Sequence, residues 1–174
     1  WRAIAASYDD QYIGSDNVNL PIVALTSDAL YWLSRKNSSR GEILKLDLAR
    51  ADSKPEVVVP QGDLPISTVY AGRDAMYWRV SDAGVNSIHR LRFAKEAQPE
   101  TLHLPYAASI LAVFPDPLSD AAVILASSWL RAPAYLSINP RTLVTATTDL
   151  QPAGPDDRPD DLVAEEVKVK SWDG

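Results

Sequence analysis

Cysteine is absent from the 174 residues. That excludes disulfide frameworks, thiolate zinc sites and cysteine nucleophiles, and leaves cytoplasm and periplasm equally open. Cationic residues are outnumbered, 17 Lys and Arg against 23 Asp and Glu, for a net charge of −6 and a pI near 4.8. A nucleic-acid partner is not expected, because phosphate binding needs clustered Lys and Arg. No run approaches the roughly 18 apolar residues of a membrane-spanning helix, so no membrane partner is expected either. The seven glycines are scattered, and no Gly-x-Ser-x-Gly nucleophile elbow occurs. His89 and His103 are the only histidines, which leaves few candidates for a triad base. There is no His-Glu-x-x-His, and "PDDRPDD" at 155–161 lacks the glycine and distal glutamate of an EF-hand loop. That stretch reads as a solvated, proline-stiffened connector. "NSS" at 37–39 fits a glycosylation sequon, a common accident in polar loops. No catalytic residue, metal site or cofactor is expected within the chain. It opens on Trp1 rather than Met, which reads as a segment of something longer whose targeting is not visible.

What the chain does contain is a repeat. "DALYW" at 28–32, "DAMYW" at 74–78 and the looser "DAAVI" at 120–124 place Asp28, Asp74 and Asp120 at a fixed interval of 46 residues. Self-similarity at this period marks a repeat architecture. Around each box lie four short β-rich segments: 20–25, 29–34, 42–48 and 56–59; then 66–70, 75–80, 87–93 and 101–104; then 110–114, 121–126, 134–138 and 143–147. The third segments align as "EILKLDL", "SIHRLRF" and "AYLSINP". In the first of these, Leu44, Leu46 and Leu48 alternate with Lys45 and Asp47, the pattern of a strand with one buried face. No long stretch carries a 3.6-residue period. Four antiparallel strands per unit predict the blade of a β-propeller. The fold class is therefore all-β, a propeller fragment of about three four-stranded antiparallel blades at about 19–60, 64–105 and 109–148, plus flanking strands.

The flanks carry their own expectations. Residues 1–7, "WRAIAAS", read as the last strand of an earlier blade. "VAEEVKVKSWDG" at 163–174 reads as an alternating strand over 163–170 that runs into an Asp-Gly turn. Three blades do not close a ring of the usual four to eight. His89 shares a column with Leu44 and Leu136, which suits a structural histidine with satisfied hydrogen bonds. His103 falls in an outer strand and suits a partly exposed surface role. Tyr31-Trp32 and Tyr77-Trp78 are expected to pack between sheets.

Three features, "DALYWLSRKNSSRGEILKLDL" at 28–48, "SSWLRAPAYLSINP" at 127–140 and "VAEEVKVKSWDG" at 163–174, in order and spacing resemble the prolyl oligopeptidase family of serine peptidases. "DALYWLSRKNSSRGEILKLDL" is similar to a family blade with an apolar strand, a polar tip and a Lys-Leu-Asp-Leu strand. "SSWLRAPAYLSINP" at 127–140 resembles the family's Ser-Phe-x-x-Pro stretch and the Tyr-containing strand after it. There Trp129 replaces the usual Phe, and one extra residue precedes Pro133. "VAEEVKVKSWDG" resembles the strand through which the family leaves its propeller. The resemblance implies a partial propeller over 1–162 and, at 163–174, an exit strand into an α/β-hydrolase domain that carries a Ser-Asp-His triad. The family's seven-bladed propeller covers that active site and restricts access to short proline-containing peptides. The implied partners are thus the hydrolase domain and short peptide substrates. An oligopeptidase preferring basic residues shares this architecture, and a non-enzymatic, protein-binding propeller is the alternative from another class.

Topology selects the candidate site. In a four-stranded meander the loop between strands two and three emerges on the same side as the exit from strand four. The three such loops are "RKNSSR" at 35–40, "SDAG" at 81–84 and "SSWLRA" at 127–132. Only the last carries large apolar groups. Trp129 and Leu130 are expected at an inter-domain interface, with Arg131 at its edge or at the substrate entrance; the competing expectation is that Trp129 folds back over its own blade.

Overall fold

Alternating apolar side chains can bury one face of a ribbon only if another sheet covers it, and the central strands here bury both. The computed structural model describes residues 23–157, 159, 161–165, 167 and 169–172. They form twelve strands, with no helix among them: β1 (Val23–Leu25), β2 (Ala29–Ser34), β3 (Glu42–Asp47), β4 (Glu56–Val59), β5 (Ile66–Ala71), β6 (Ala75–Asp82), β7 (Val85–Arg92), β8 (Glu100–Thr101), β9 (Ser109–Pro115), β10 (Ala122–Ser128), β11 (Arg131–Ile138) and β12 (Thr145–Thr147). These make three four-stranded antiparallel meanders, β1-β2-β3-β4, β5-β6-β7-β8 and β9-β10-β11-β12. β2 and β4 match the sequence expectation residue for residue. β8 is shorter than expected: Leu102 N still donates to Ile88 O of β7 at 2.9 Å, but the chain then leaves the sheet. There the main chain of His103 instead bridges to Val144 of the third unit, donating to Leu143 O at 2.9 Å and accepting from Thr145 N at 3.1 Å.

Each sheet stacks on the next. Ala29, Tyr31, Leu33 and Ile43 of the first form one apolar cluster with Ile66, Met76 and Trp78 of the second. Ala75, Tyr77 and Ile88, on the opposite face of the second, join Ile110, Ile124 and Leu136 of the third. Met76 and Trp78 therefore point one way from β6 while Ala75 and Tyr77 point the other, as the period of two requires. Each large side chain so covered contributes about 1.5–3 kcal/mol. Tyr31 also stacks on Phe93, the residue just after β7, with centroids 5.2 Å apart. The expectation that the paired aromatics pack between sheets holds for Tyr31, Tyr77 and Trp78, whereas Trp32 is buried with Leu30 and Leu46 of its own sheet. Successive inner strands, β1, β5 and β9, lie beside one another. The described residues form three blades of a β-propeller.

Polar stitches complement the apolar seams. At the end of the blades where β2 turns into β3, Arg35 donates to Ile66 O at 2.7 Å, and Ile66 N donates to Arg40 O at 2.9 Å. One blade further, Ile110 N donates to Asn86 Oδ1 at 2.7 Å, and Arg79 donates to Ile110 O. Both entering strands are thus held at their first turn by the preceding blade. At the opposite end Arg73 donates to Leu118 O at 2.6 Å. Nearby, buried Arg90 pairs with Glu100 at 2.9 Å and donates to Pro140 O at 2.9 Å.

The flanks differ from expectation. Residues 1–22 lie outside the described set, and with them the expected strand at 1–7 and the first part of 20–25. Among the described residues of 163–172 none pairs in a ladder, so the strand expected over 163–170 is not formed there. Alternation supplies a face, but a strand also needs a neighbour to accept its N–H groups, and among the described residues none lies alongside. The connector at 155–161 is not wholly solvated: Asp157 is half-buried and its carbonyl accepts from Ala132 N at 3.2 Å.

Candidate functional site

The three turns joining second and third strands differ in chemistry. In the first blade, 35–41 is a polar loop that ends on Gly41 at φ +85°. In the second, Ala83 (φ 45°) and Gly84 (φ 92°) make a tight two-residue turn of the kind that matches strand twist. In the third, β10 and β11 extend further than the sequence suggested. Ser128 pairs with Arg131, so Trp129 and Leu130 alone form the turn. Neither has a positive φ, and a bulge between Ala126 and Ser128 accommodates the twist such a turn lacks. Leu130 N donates to Ser128 Oγ at 3.2 Å and fixes the turn from within. Tryptophan and leucine bring no turn propensity to these positions, and a local rule broken without local gain points to function.

Trp129 is 83% exposed. It does not fold back over its own blade. Leu130 is half-buried, and Arg131, the first residue of β11, stands exposed. The guanidinium of Arg131 sits 4.9 Å from the centroid of the Tyr106 ring. Tyr106 belongs to the segment that carries the chain from the second blade to the third. The three residues picked out by sequence are thus contiguous at one corner. They wall an open groove of about 780 Å³, completed by Val85, Tyr106 and the segment 162–165. Sequence reasoning missed Tyr106 and 162–165 as walls. "LPYAAS" carries no signal for the former, and the latter reaches the groove only through the path of the folded chain.

The histidines take no part in this corner. His89 is half-buried, stacks on Trp78 at 5.4 Å, and bonds Ser87 Oγ through Nε2 at 3.1 Å and Thr101 Oγ1 through Nδ1 at 3.0 Å. Burial lowers its pKa. The serine–imidazole contact has a hydroxyl where a triad places the carboxylate that stabilises an imidazolium, so its role is to order the outer part of the second sheet. His103 is exposed and acts through its main chain. Among the described residues no group of three His, Asp or Glu is placed to hold a metal ion.

No protein-family model matches the sequence, and no curated protein does. Solved structures do. A prolyl endopeptidase, described together with a second one for the role of inter-domain dynamics in catalysis and specificity, superposes with a TM-score of 0.64 at 17% identity, over 72% of this chain and 18% of its own. The fold is shared with prolyl oligopeptidases. Prolyl oligopeptidase B from Galerina marginata gives a TM-score of 0.60 at 10% identity, over 72% of this chain and 18% of that one. A post-proline cleaving enzyme from Rickettsia typhi gives 0.56 at 15% identity, over 71% and 20%. The likeness is one of fold, and the chain spans only 18–20% of the length of these prolyl oligopeptidases.

Proposed function

We propose that the chain is a substrate-gating segment of the β-propeller in a prolyl oligopeptidase-like serine peptidase that hydrolyses short proline-containing peptides. The segment is itself non-catalytic, and the triad belongs to an α/β-hydrolase domain outside these 174 residues. The observation that carries the reading is the shared three-blade fold, which overlaps about 72% of the chain with a prolyl endopeptidase. The order of "DALYW…LKLDL", "SSWLRAPAYLSINP" and "VAEEVKVKSWDG" supports it independently. In this reading Trp129 and Leu130 pack against the hydrolase domain, and Arg131 stands at the edge of that contact, where peptides enter.

The test is made on the full-length protein with a chromogenic proline peptide and a fluorophosphonate probe that labels active serines. Hydrolysis after proline together with labelling is expected, and neither from the 174-residue chain alone. A full-length protein that neither cleaves nor labels overturns the enzyme reading. Burying an indole as exposed as Trp129 stabilises a contact by about 2–3 kcal/mol, so Trp129→Ala should shift turnover or domain unfolding measurably. A Trp129→Ala protein matching the parent in both removes the interface assignment.

A further inference from the structure

Among the described residues, the groove beside the Trp129–Leu130 turn holds one cation, Arg131, and none of them forms an ion pair with it. Several arginines are committed: Arg50, Arg73, Arg90 and Arg92 face carboxylates, and Arg35 and Arg79 hold backbone carbonyls. Arg131 has neither kind of partner among the described residues, and it alone of these lies in the groove. Among the described residues no carboxylate lies within ion-pair distance of it, and its guanidinium rests on the Tyr106 ring. Stacking uses the π face of a guanidinium and leaves its in-plane N–H donors available, in the forked geometry that suits a planar carboxylate. The indole of Trp129 and the side chain of Leu130 supply an apolar floor next to those donors. A space of about 780 Å³ is of the size that takes a short peptide. In a chain of net charge −6, an unpaired arginine at such a place attracts a negative ligand against the field of the protein as a whole. Among the described residues Glu165 is the one carboxylate and Arg131 the one cation in this wall, while Asp149 and Asp157 line the adjoining space on the other side of Arg131.

We propose that Arg131 is a specificity-determining residue that binds a peptide carboxylate at the edge of the contact that Trp129 and Leu130 make with the hydrolase domain. This rests on the peptide-hydrolase reading above. The carboxylate comes either from an acidic side chain or from the peptide C-terminus. Three non-cleavable proline-containing peptides of equal length separate the two: one with an Asp and an amidated C-terminus, one neutral with a free C-terminus, and one neutral and amidated. Their affinities for the full-length protein are measured by titration calorimetry. At least one carboxylate peptide should bind about five- to tenfold more tightly than the neutral amide, the range of one charge-assisted hydrogen-bonded pair at a part-exposed site. Arg131→Ala should erase that difference and leave the neutral amide unchanged, and Arg131→Lys should keep part of it. Equal affinities of all three peptides for the parent protein overturn the proposal. So does an Arg131→Ala protein that weakens all three alike, which assigns Arg131 to a domain contact instead. Cleavable versions assayed in parallel separate the two claims. Carboxylate-dependent binding without hydrolysis defeats the peptidase reading alone, and hydrolysis with no carboxylate dependence of binding defeats this one.

Discussion

Replacing Asn86 by alanine tests whether polar stitches couple the blades. Asn86 is 9% exposed. Its Oδ1 accepts the amide of Ile110 at 2.7 Å across the seam, and its Nδ2 donates to Ser81 Oγ at 3.2 Å within its own blade. Alanine removes both bonds and leaves the Ile110 N–H buried without an acceptor. The orphaned donor costs about 1–3 kcal/mol and the lost Ser81 bond roughly 0.5–1 kcal/mol, for about 2–3 kcal/mol together. The Arg79 bond to Ile110 O and the Asn86 N bond to Ala108 O at 2.7 Å remain, so the seam is loosened rather than opened. Hydrogen exchange followed by mass spectrometry on the full-length protein reads this strand by strand. Peptides covering β9 should exchange about 30-fold faster for a loss of 2 kcal/mol. Ser81→Ala keeps the inter-blade bond and should accelerate the same peptides by less than about fivefold. Equal effects of the two substitutions would refute the stitch. Acceleration confined to the Ile110 amide would show a local cap with no bearing on how the blades dock.

The carboxyl of Glu100 is raised by burial but lowered by more through Arg90 and Arg92, for a net pKa below the ordinary glutamate range. A depressed folded pKa means stability present above the unfolded value and lost as pH falls through the folded one. Acid unfolding followed by tryptophan fluorescence should therefore be less steep in Glu100→Gln, and an unchanged profile would assign acid sensitivity elsewhere. Gly41 sits at φ +85° with an added Cβ 2.7 Å from Leu33 Cδ1, whereas Gly84 at φ +92° faces open space. Both alanine variants should lose about 1 kcal/mol to left-handed strain, with a further loss at Gly41 alone, read by thermal unfolding. Leu111 and Phe114 of β9 are 46% and 51% exposed. Because such apolar faces promote association, the isolated 174-residue chain should exceed monomer mass by light scattering; a stable monomer would count against that expectation.

Much of the fold was legible because its cues are local. The alternation in "EILKLDL", the box repeated every 46 residues, and turn residues such as Ala83-Gly84 each act within a few residues of chain, so strand positions and blade order follow from them. The apolar tip at 129–130 was legible for the same reason, since Trp-Leu stands out where its two counterparts are polar or small. What was not legible depends on residues brought together from a distance. Asn86 and Ile110, Arg79 and Ile110, and Arg90 and Pro140 lie 24, 31 and 50 residues apart, and nothing in either partner's neighbourhood names the other. Arg131 stood out by its place beside the apolar tip, but the Tyr106 ring beneath it was not visible. The stretch at 163–170 shows the converse, a strand pattern that forms no strand among its described residues. The sequence by itself determined the ribbons, their order and the odd chemistry of one turn. Only the tertiary structure decided which polar groups cross the seams, which way Trp129 faces and where an unpaired cation stands, because these depend on neighbours in space.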